Sequence, residues 1–178
     1  MNHSSVEKLL ISAWKYRREG DYQTAGTLVD QAIQLSSEDD YANRGRAFHI
    51  LAQFEADQNE FKNALNYYQQ SQAFYEKTEL QDKVAHSIRH VADTFYSLNE
   101  IEKARAQYES AIKMYNTQAD TNDVDIANTL KGYALVLEKQ NENEAAKKKW
   151  STILSIYEKY NIQSGINEAK GKIEQLQE

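Results

Sequence analysis

The sequence contains no cysteine and no proline among its 178 residues, and only six glycines. Without cysteine the chain can form neither disulfides nor thiolate metal sites, and it has no cysteine nucleophile. Proline-marked turns and strand-rich runs are both missing, whereas Ala, Glu, Gln and Lys, which favour helices, are frequent. The composition therefore predicts an all-α protein.

Long apolar runs and an excess of positive charge are missing as well. The apolar run at residues 133–137 is far too short to span a bilayer. The first twenty residues hold no apolar core long enough for a signal peptide. The net charge of −6 argues against nonspecific binding of nucleic acid or anionic membranes. We therefore expect a cytoplasmic protein with no nucleic-acid and no membrane partner.

Four segments of the chain align when short polar turns are superposed. Each segment has a small residue at a fixed distance before the turn and another after it. These pairs are Ala13 and Ala25, Ala52 and Ala64, Ala92 and Ala104, and Ala134 and Ala146. Small residues at two fixed positions let the helices of a hairpin approach closely, while larger residues such as Tyr68, Tyr108 and Trp150 fill the space between hairpins.

The third segment carries the pattern most completely, with Ile88, Val91-Ala92 and Phe95 before the turn and Ala104, Tyr108 and Ala111 after it. These residues resemble the tetratricopeptide repeat family, and the repeat length resembles that of kinesin light chains and bacterial peptide sensors. The resemblance implies one domain over residues 1–178, an all-α, right-handed superhelical solenoid of four helix-turn-helix hairpins. The hairpins are expected at about 6–40, 45–80, 85–122 and 127–161, with a capping helix at about 164–177. The acidic segments at 36–45 and 116–125 are expected to be connecting loops.

In this family the first helices of the hairpins line a concave groove that binds extended peptides. Counting from each turn places nine polar residues in that groove: Arg46, His49, Gln53, His86, Arg89, His90, Asp93, Asn128 and Lys131. Three of the four histidines thus gather with three cations in an acidic chain. This predicts an acidic peptide partner, or a C-terminal carboxylate, held by charge-assisted hydrogen bonds. We expect binding to strengthen as the histidines gain charge toward pH 6.

His86, His90 and Asp93 also allow a metal interpretation, because they lie at i, i+4 and i+7 on one helical stripe. Arg89 lies between them, however, and HSIRH lacks the glutamate of the HExxH motif. Ser87 points away, so a nucleophilic triad is disfavoured. We expect no metal and no cofactor. Histidines that are merely hydrated or packed against tyrosines remain an alternative.

The N-terminal helix carries an apolar group at its inner-facing positions. Chaperone-binding members of the family have a carboxylate clamp of Lys and Asn there, whereas this chain has Leu10 and Trp14. Trp14 is a candidate aromatic anchor for a ligand side chain. Alternatively, Leu10, Ile11 and Trp14 form a local contact or a homodimer interface.

The sequence thus predicts a noncatalytic module that binds a protein or an extended, acidic peptide. Two other functions stay open. One is a self-associating structural protein whose groove is filled by a second copy. The other is a metal-dependent enzyme built on His86, His90 and Asp93.

Overall fold

A computed structural model describes residues 3–118 and 122–176, which form nine α-helices and no strand. Eight of the helices pair into four hairpins: α1 (His3–Arg18) with α2 (Tyr22–Leu35), α3 (Tyr41–Asp57) with α4 (Phe61–Tyr75), α5 (Gln81–Ser97) with α6 (Ile101–Asn116), and α7 (Asp123–Lys139) with α8 (Asn143–Lys159). The last helix, α9 (Gln163–Gln175), packs on α8. The predicted all-α solenoid of four hairpins with a capping helix is confirmed.

A residue with left-handed backbone geometry stands in the turn of every hairpin. It is Gly20 in the first hairpin, at φ 82°, and Asn59, Asn99 and Asn141 in the others, at φ 62°, 60° and 62°. Glycine, and to a lesser extent asparagine, tolerates this conformation better than other residues. The polar turns that aligned the four segments are therefore the positions at which the chain reverses direction.

The connections between hairpins differ from the sequence expectation. The helices α3 and α7 begin inside the segments 36–45 and 116–125, which were expected to be loops. The reason is helix capping. The Asp40 carboxylate accepts a hydrogen bond from the Asn43 amide at 3.4 Å, and the Asn122 side chain accepts one from the Val124 amide at 2.9 Å. Each cap satisfies a backbone N–H of the first turn, so the helix starts directly after it.

The hydrophobic core contains the paired alanines of the four aligned segments. All eight alanines of the four pairs are fully buried, and small residues at such positions let packed helices approach closely. The bulky side chains Tyr68, Tyr108 and Trp150 are also buried, and they fill the space between successive hairpins. The alignment of the repeats therefore has the correct helical register.

Packing is strongest between helices that follow one another in the chain, and it is uneven on the concave side. There α1 packs against α3 and α5 against α7, whereas α3 and α5 stay further apart. The wider spacing leaves room for a pocket between the second and third hairpins.

Tyr108 on α6 fits beneath Gly132 of the next hairpin. A Cβ atom at Gly132 would lie 2.3 Å from the Tyr108 hydroxyl oxygen, far inside contact distance. The ring cannot easily swing aside, because its hydroxyl donates a 2.7 Å hydrogen bond to Asp93 Oδ1 on α5. The contact thus joins the packing of the solenoid to a residue of the groove.

We predict that Gly132→Ala destabilises the fold by about 1–3 kcal/mol through overpacking against Tyr108. Gly26→Ala on α2 is the matched control. Nothing lies within 4 Å of a Cβ at Gly26, so this change should stabilise the helix by up to about 1 kcal/mol. Urea denaturation of both variants measures the difference. Equal stability of the two variants would contradict the contact.

Candidate functional site

The candidate site is a pocket of about 700 Å³ between α3 and α5 on the concave face. Its walls include six of the nine residues that the sequence placed in the groove: Arg46, His49, Gln53, His86, Arg89 and His90. A second pocket of about 310 Å³ contains Asp93, Asn128 and Lys131, and it shares Arg89 with the first. The structure thus brings all nine residues to two adjacent pockets.

Two features orient these side chains. One is the helical spacing of the residues, and the other is the burial of the opposite face of each helix in the core. On α5, His86 and His90 are one turn apart, and Asp93 follows on the same stripe. The residues of α5 that are buried in the core, Ile88 and Val91 among them, hold the opposite face against neighbouring helices. The polar stripe is therefore fixed toward the groove.

His49, His86 and His90 form a compact cluster that spans two hairpins. The Nε2 atoms of His86 and His90 are 3.2 Å apart, and one ring nitrogen from each of the three lies within 4.8 Å of the others. The His90 ring stacks on Tyr68 with a centroid distance of 5.0 Å and an interplanar angle of 6°. Tyr68 and His49 also meet edge to face at 5.3 Å. Aromatic contacts therefore fix the orientation of the cluster.

Asp93 lies at the centre of a hydrogen-bond network rather than in the histidine cluster. Its Oδ2 accepts a 3.0 Å hydrogen bond from Arg89 Nη1, and its Oδ1 accepts one from the Tyr108 hydroxyl. His90 Nδ1 lies 3.4 Å from Oδ2. The arrangement orients Arg89 and neutralises its charge within the chain.

The tautomer of His90 follows from its two neighbours. Arg89 Nη2 lies 2.7 Å from His90 Nε2, and a guanidinium can only donate. His90 Nε2 therefore accepts, and the ring hydrogen is assigned to Nδ1, which faces Asp93.

The site disfavours charge on its histidines. Burial, followed by the nearby Arg89 and Lys83, lowers the pKa of His86 to about 4, although Asp93 and Asp82 oppose the shift. Burial and the neighbouring histidines and arginines lower the pKa values of His49 and His90 well below the usual range. Burial also raises the pKa of Asp93, against the effects of Arg89 and Tyr108. The three histidines thus stay neutral at pH 6, and the expected gain of charge toward that pH is wrong.

The cations of the groove differ in whether they already have an acidic partner. Lys131 donates to Glu168 of α9 at 2.7 Å, and Arg17 of α1 pairs with Asp57 of α3 at 2.8 Å. Arg89 is paired with Asp93. Within the described ranges Arg46 makes no hydrogen bond or ion pair, although it lines the larger pocket. Arg46 is therefore the cation best placed to meet an external anion.

The apolar residues of α1 do not form a common surface. Leu10 is fully buried in the core of the first two hairpins, so it cannot belong to a ligand clamp or to a dimer interface. Ile11 and Trp14 are exposed at 51% and 42%. Trp14 lies at the edge of the larger pocket, with the Arg18 guanidinium 4.8 Å from its ring centroid.

Counting inner-facing positions from each hairpin turn missed several residues of the site. Tyr75 and Lys83 line the larger pocket, and so does Asp125, which lies in a segment expected to be a loop. The sequence predicts only a packing role for Tyr68 and Tyr108, yet Tyr68 stacks on His90 and Tyr108 donates a hydrogen bond to Asp93. The signal for Asp125 is the capping residue Asn122. Recognising this cap predicts that α7 starts early enough to place Asp125 in the groove.

Comparison with known proteins agrees with this architecture. Residues 49–117 match the family model described as tetratricopeptide repeat. The second and third hairpins, which this region largely covers, therefore resemble tetratricopeptide repeats. No match was found among curated protein sequences.

Solved structures with the same fold extend the likeness beyond the matched repeats. The apo form of RapI superimposes with a TM-score of 0.83 at 17% identity, covering 94% of this chain and 61% of RapI. Aspartyl phosphate phosphatase F from Bacillus subtilis superimposes with a TM-score of 0.77 at 16% identity, covering 94% of this chain and 44% of the phosphatase. The chain therefore spans less than two thirds of either protein.

A putative kinesin light chain from Podosopora anserina, with nearly identical repeats, gives a TM-score of 0.70 at 14% identity and covers 99% of this chain and 97% of that one. The resemblance to tetratricopeptide repeats of the kinesin light-chain type is confirmed. At these identities the likeness concerns the fold.

Among the helices of the described residues, none is both long enough and apolar enough to cross a membrane.

We predict that the stability of the protein falls as the pH drops from about 6.5 to 4. The unfolded chain protonates His86 at about pH 6.5, whereas the folded chain resists protonation until about pH 4. Below pH 6.5 the unfolded state therefore binds more protons, and the free energy of unfolding decreases. A shift of this size corresponds to about 3 kcal/mol.

The melting temperature measured across this pH range checks the prediction. His86→Gln should reduce the fall in melting temperature with pH. His3→Gln, at the first residue of α1, should leave this fall unchanged. A wild-type melting temperature that stays constant over this range would exclude buried neutral histidines.

Proposed function

We propose that this chain is a noncatalytic module that binds an extended segment of a protein partner along its concave groove, with a carboxylate of the segment held by Arg46. The tetratricopeptide repeat fold supports a role in protein interaction. The position of the carboxylate is inferred from the charges that line the groove.

Arg46 is the observation that carries the proposal. It lies on α3 in the wall of a pocket of about 700 Å³ and has no ion pair within the described ranges. Arg89, by contrast, is neutralised by Asp93, and Lys131 by Glu168. A carboxylate reaching Arg46 would form a charge-assisted hydrogen bond without displacing an internal acid.

The rest of the pocket suits a peptide in extended form. Trp14 offers apolar surface at the pocket wall, and aromatic side chains at such positions often anchor a partner. Gln53 accepts a hydrogen bond from Arg17, and its amide group keeps free donors for a peptide carbonyl. Asp125 supplies an acceptor for a peptide N–H. The pocket therefore combines Arg46, a cation without an acidic partner among the described residues, with polar and apolar contacts to the same segment.

Arg89 and Lys131, which the sequence argument made the principal anion-binding residues, have a secondary role in this proposal. Their internal partners would compete with any ligand carboxylate. They help to set the electrostatic potential of the groove, and Arg89 positions His90 through the 2.7 Å contact.

Fluorescence anisotropy with pooled acidic and basic peptides of equal length tests the proposal. Acidic peptides should bind more tightly, and binding should weaken as salt rises toward physiological levels. Arg46→Glu should reduce affinity by roughly 10–100-fold, the equivalent of losing a charged hydrogen bond of about 1.5–3 kcal/mol.

Lys62→Glu is the matched control, because Lys62 is exposed on α4 and lines neither pocket. It changes the net charge by the same amount and should leave affinity within about twofold. Equal binding of both pools, or an Arg46→Glu protein that binds like wild type, would refute the carboxylate site.

A further inference from the structure

We propose that His49, His86 and His90 form a site for one divalent transition-metal ion, such as Zn²⁺, in the wall of the pocket between α3 and α5. The site is separate from the partner-binding role of Arg46. It also differs from the set His86, His90 and Asp93 that the sequence suggested and from which we expected no metal.

The spacing of the ring nitrogens supports the proposal. Two nitrogen ligands of a tetrahedral zinc ion lie about 3.4 Å apart, given zinc–nitrogen bonds of about 2.0–2.1 Å. The Nε2 atoms of His86 and His90 are 3.2 Å apart. A ring nitrogen of His49 lies within 4.8 Å of one ring nitrogen of each of the other two histidines, so a side-chain movement of roughly 1 Å would complete the set.

His49 lacks a hydrogen bond that its burial would normally require. Its Nδ1 atom is buried and has no partner. Buried polar atoms without partners are rare and cost stability, so such an atom points to a missing ligand. No hydrogen bond to Nδ1 would be lost if the His49 ring turned to bind an ion.

The donor set selects the class of metal. Three imidazole nitrogens suit zinc, copper, nickel and cobalt ions, whereas magnesium and calcium prefer oxygen ligands. The pocket leaves a further coordination position for water or for a group of a bound partner. His90 Nδ1 faces Asp93, and a carboxylate in that place orients a metal-binding imidazole and raises its basicity.

Arg89 is a competitor within the site. Its Nη2 lies 2.7 Å from His90 Nε2, the nitrogen that an ion would use. Metal binding therefore requires the guanidinium to turn away from His90, and the 3.0 Å contact with Asp93 offers it another partner. Removing the positive charge of Arg89 should therefore strengthen metal binding. If Arg89 instead helped to hold the metal site together, its removal would weaken binding.

Calorimetric titration of the metal-free, untagged full chain with Zn²⁺ tests the site. Cobalt absorption spectra report whether the ligands are tetrahedral, and Mg²⁺ is the negative control. Wild type should bind one equivalent of Zn²⁺. Arg89→Gln should bind it roughly tenfold more tightly, and His49→Gln at least about tenfold more weakly.

His3→Gln removes the histidine at the start of α1 and should bind like wild type. Far-ultraviolet circular dichroism checks that each variant is folded. If His49→Gln does not fold, His86→Gln gives the same comparison. The proposal is wrong if neither wild type nor Arg89→Gln binds one equivalent, or if a folded His49→Gln or His86→Gln variant binds as tightly as wild type.

Discussion

The close contact between the two helices of each hairpin is the constraint on which the structure depends. Eight alanines, two in every hairpin, are completely buried at these contacts. Their small size brings the backbones together, and this leaves the tyrosines and Trp150 to pack between hairpins. Because each hairpin thus has an apolar face that it cannot cover alone, stacking is required for stability. The stacking in turn places α1, α3, α5 and α7 along one groove.

Most of the fold could be predicted from the sequence, because it depends on short-range patterns. The paired alanines predicted the four hairpins, and the turn residues Asn59, Asn99 and Asn141 predicted where the chain reverses direction. The expectation failed at the starts of α3 and α7, where Asp40 and Asn122 cap helices within segments rich in acidic residues. Composition identified these segments as polar, but the capping geometry decides where the helix begins.

The candidate site could be predicted as a set of residues but not as a set of contacts. Helical period alone puts His86, His90 and Asp93 on one stripe. It does not show that Asp93 turns to Tyr108 of α6, or that His49 crosses from the neighbouring hairpin to meet the other two histidines. Those contacts depend on the spacing and rotation between hairpins, which the sequence pattern leaves undetermined. The neutral state of the histidines also depends on burial, which follows from the same packing.

The near-neighbour packing of the solenoid has a kinetic consequence. Helices that pack together are adjacent or next but one along the chain, so folding closes only short loops. Such a chain can nucleate in one hairpin and grow in either direction. It also has no proline whose isomerisation could introduce a slow step. Refolding should therefore be fast, within milliseconds or less, and limited by the first stable pair of hairpins.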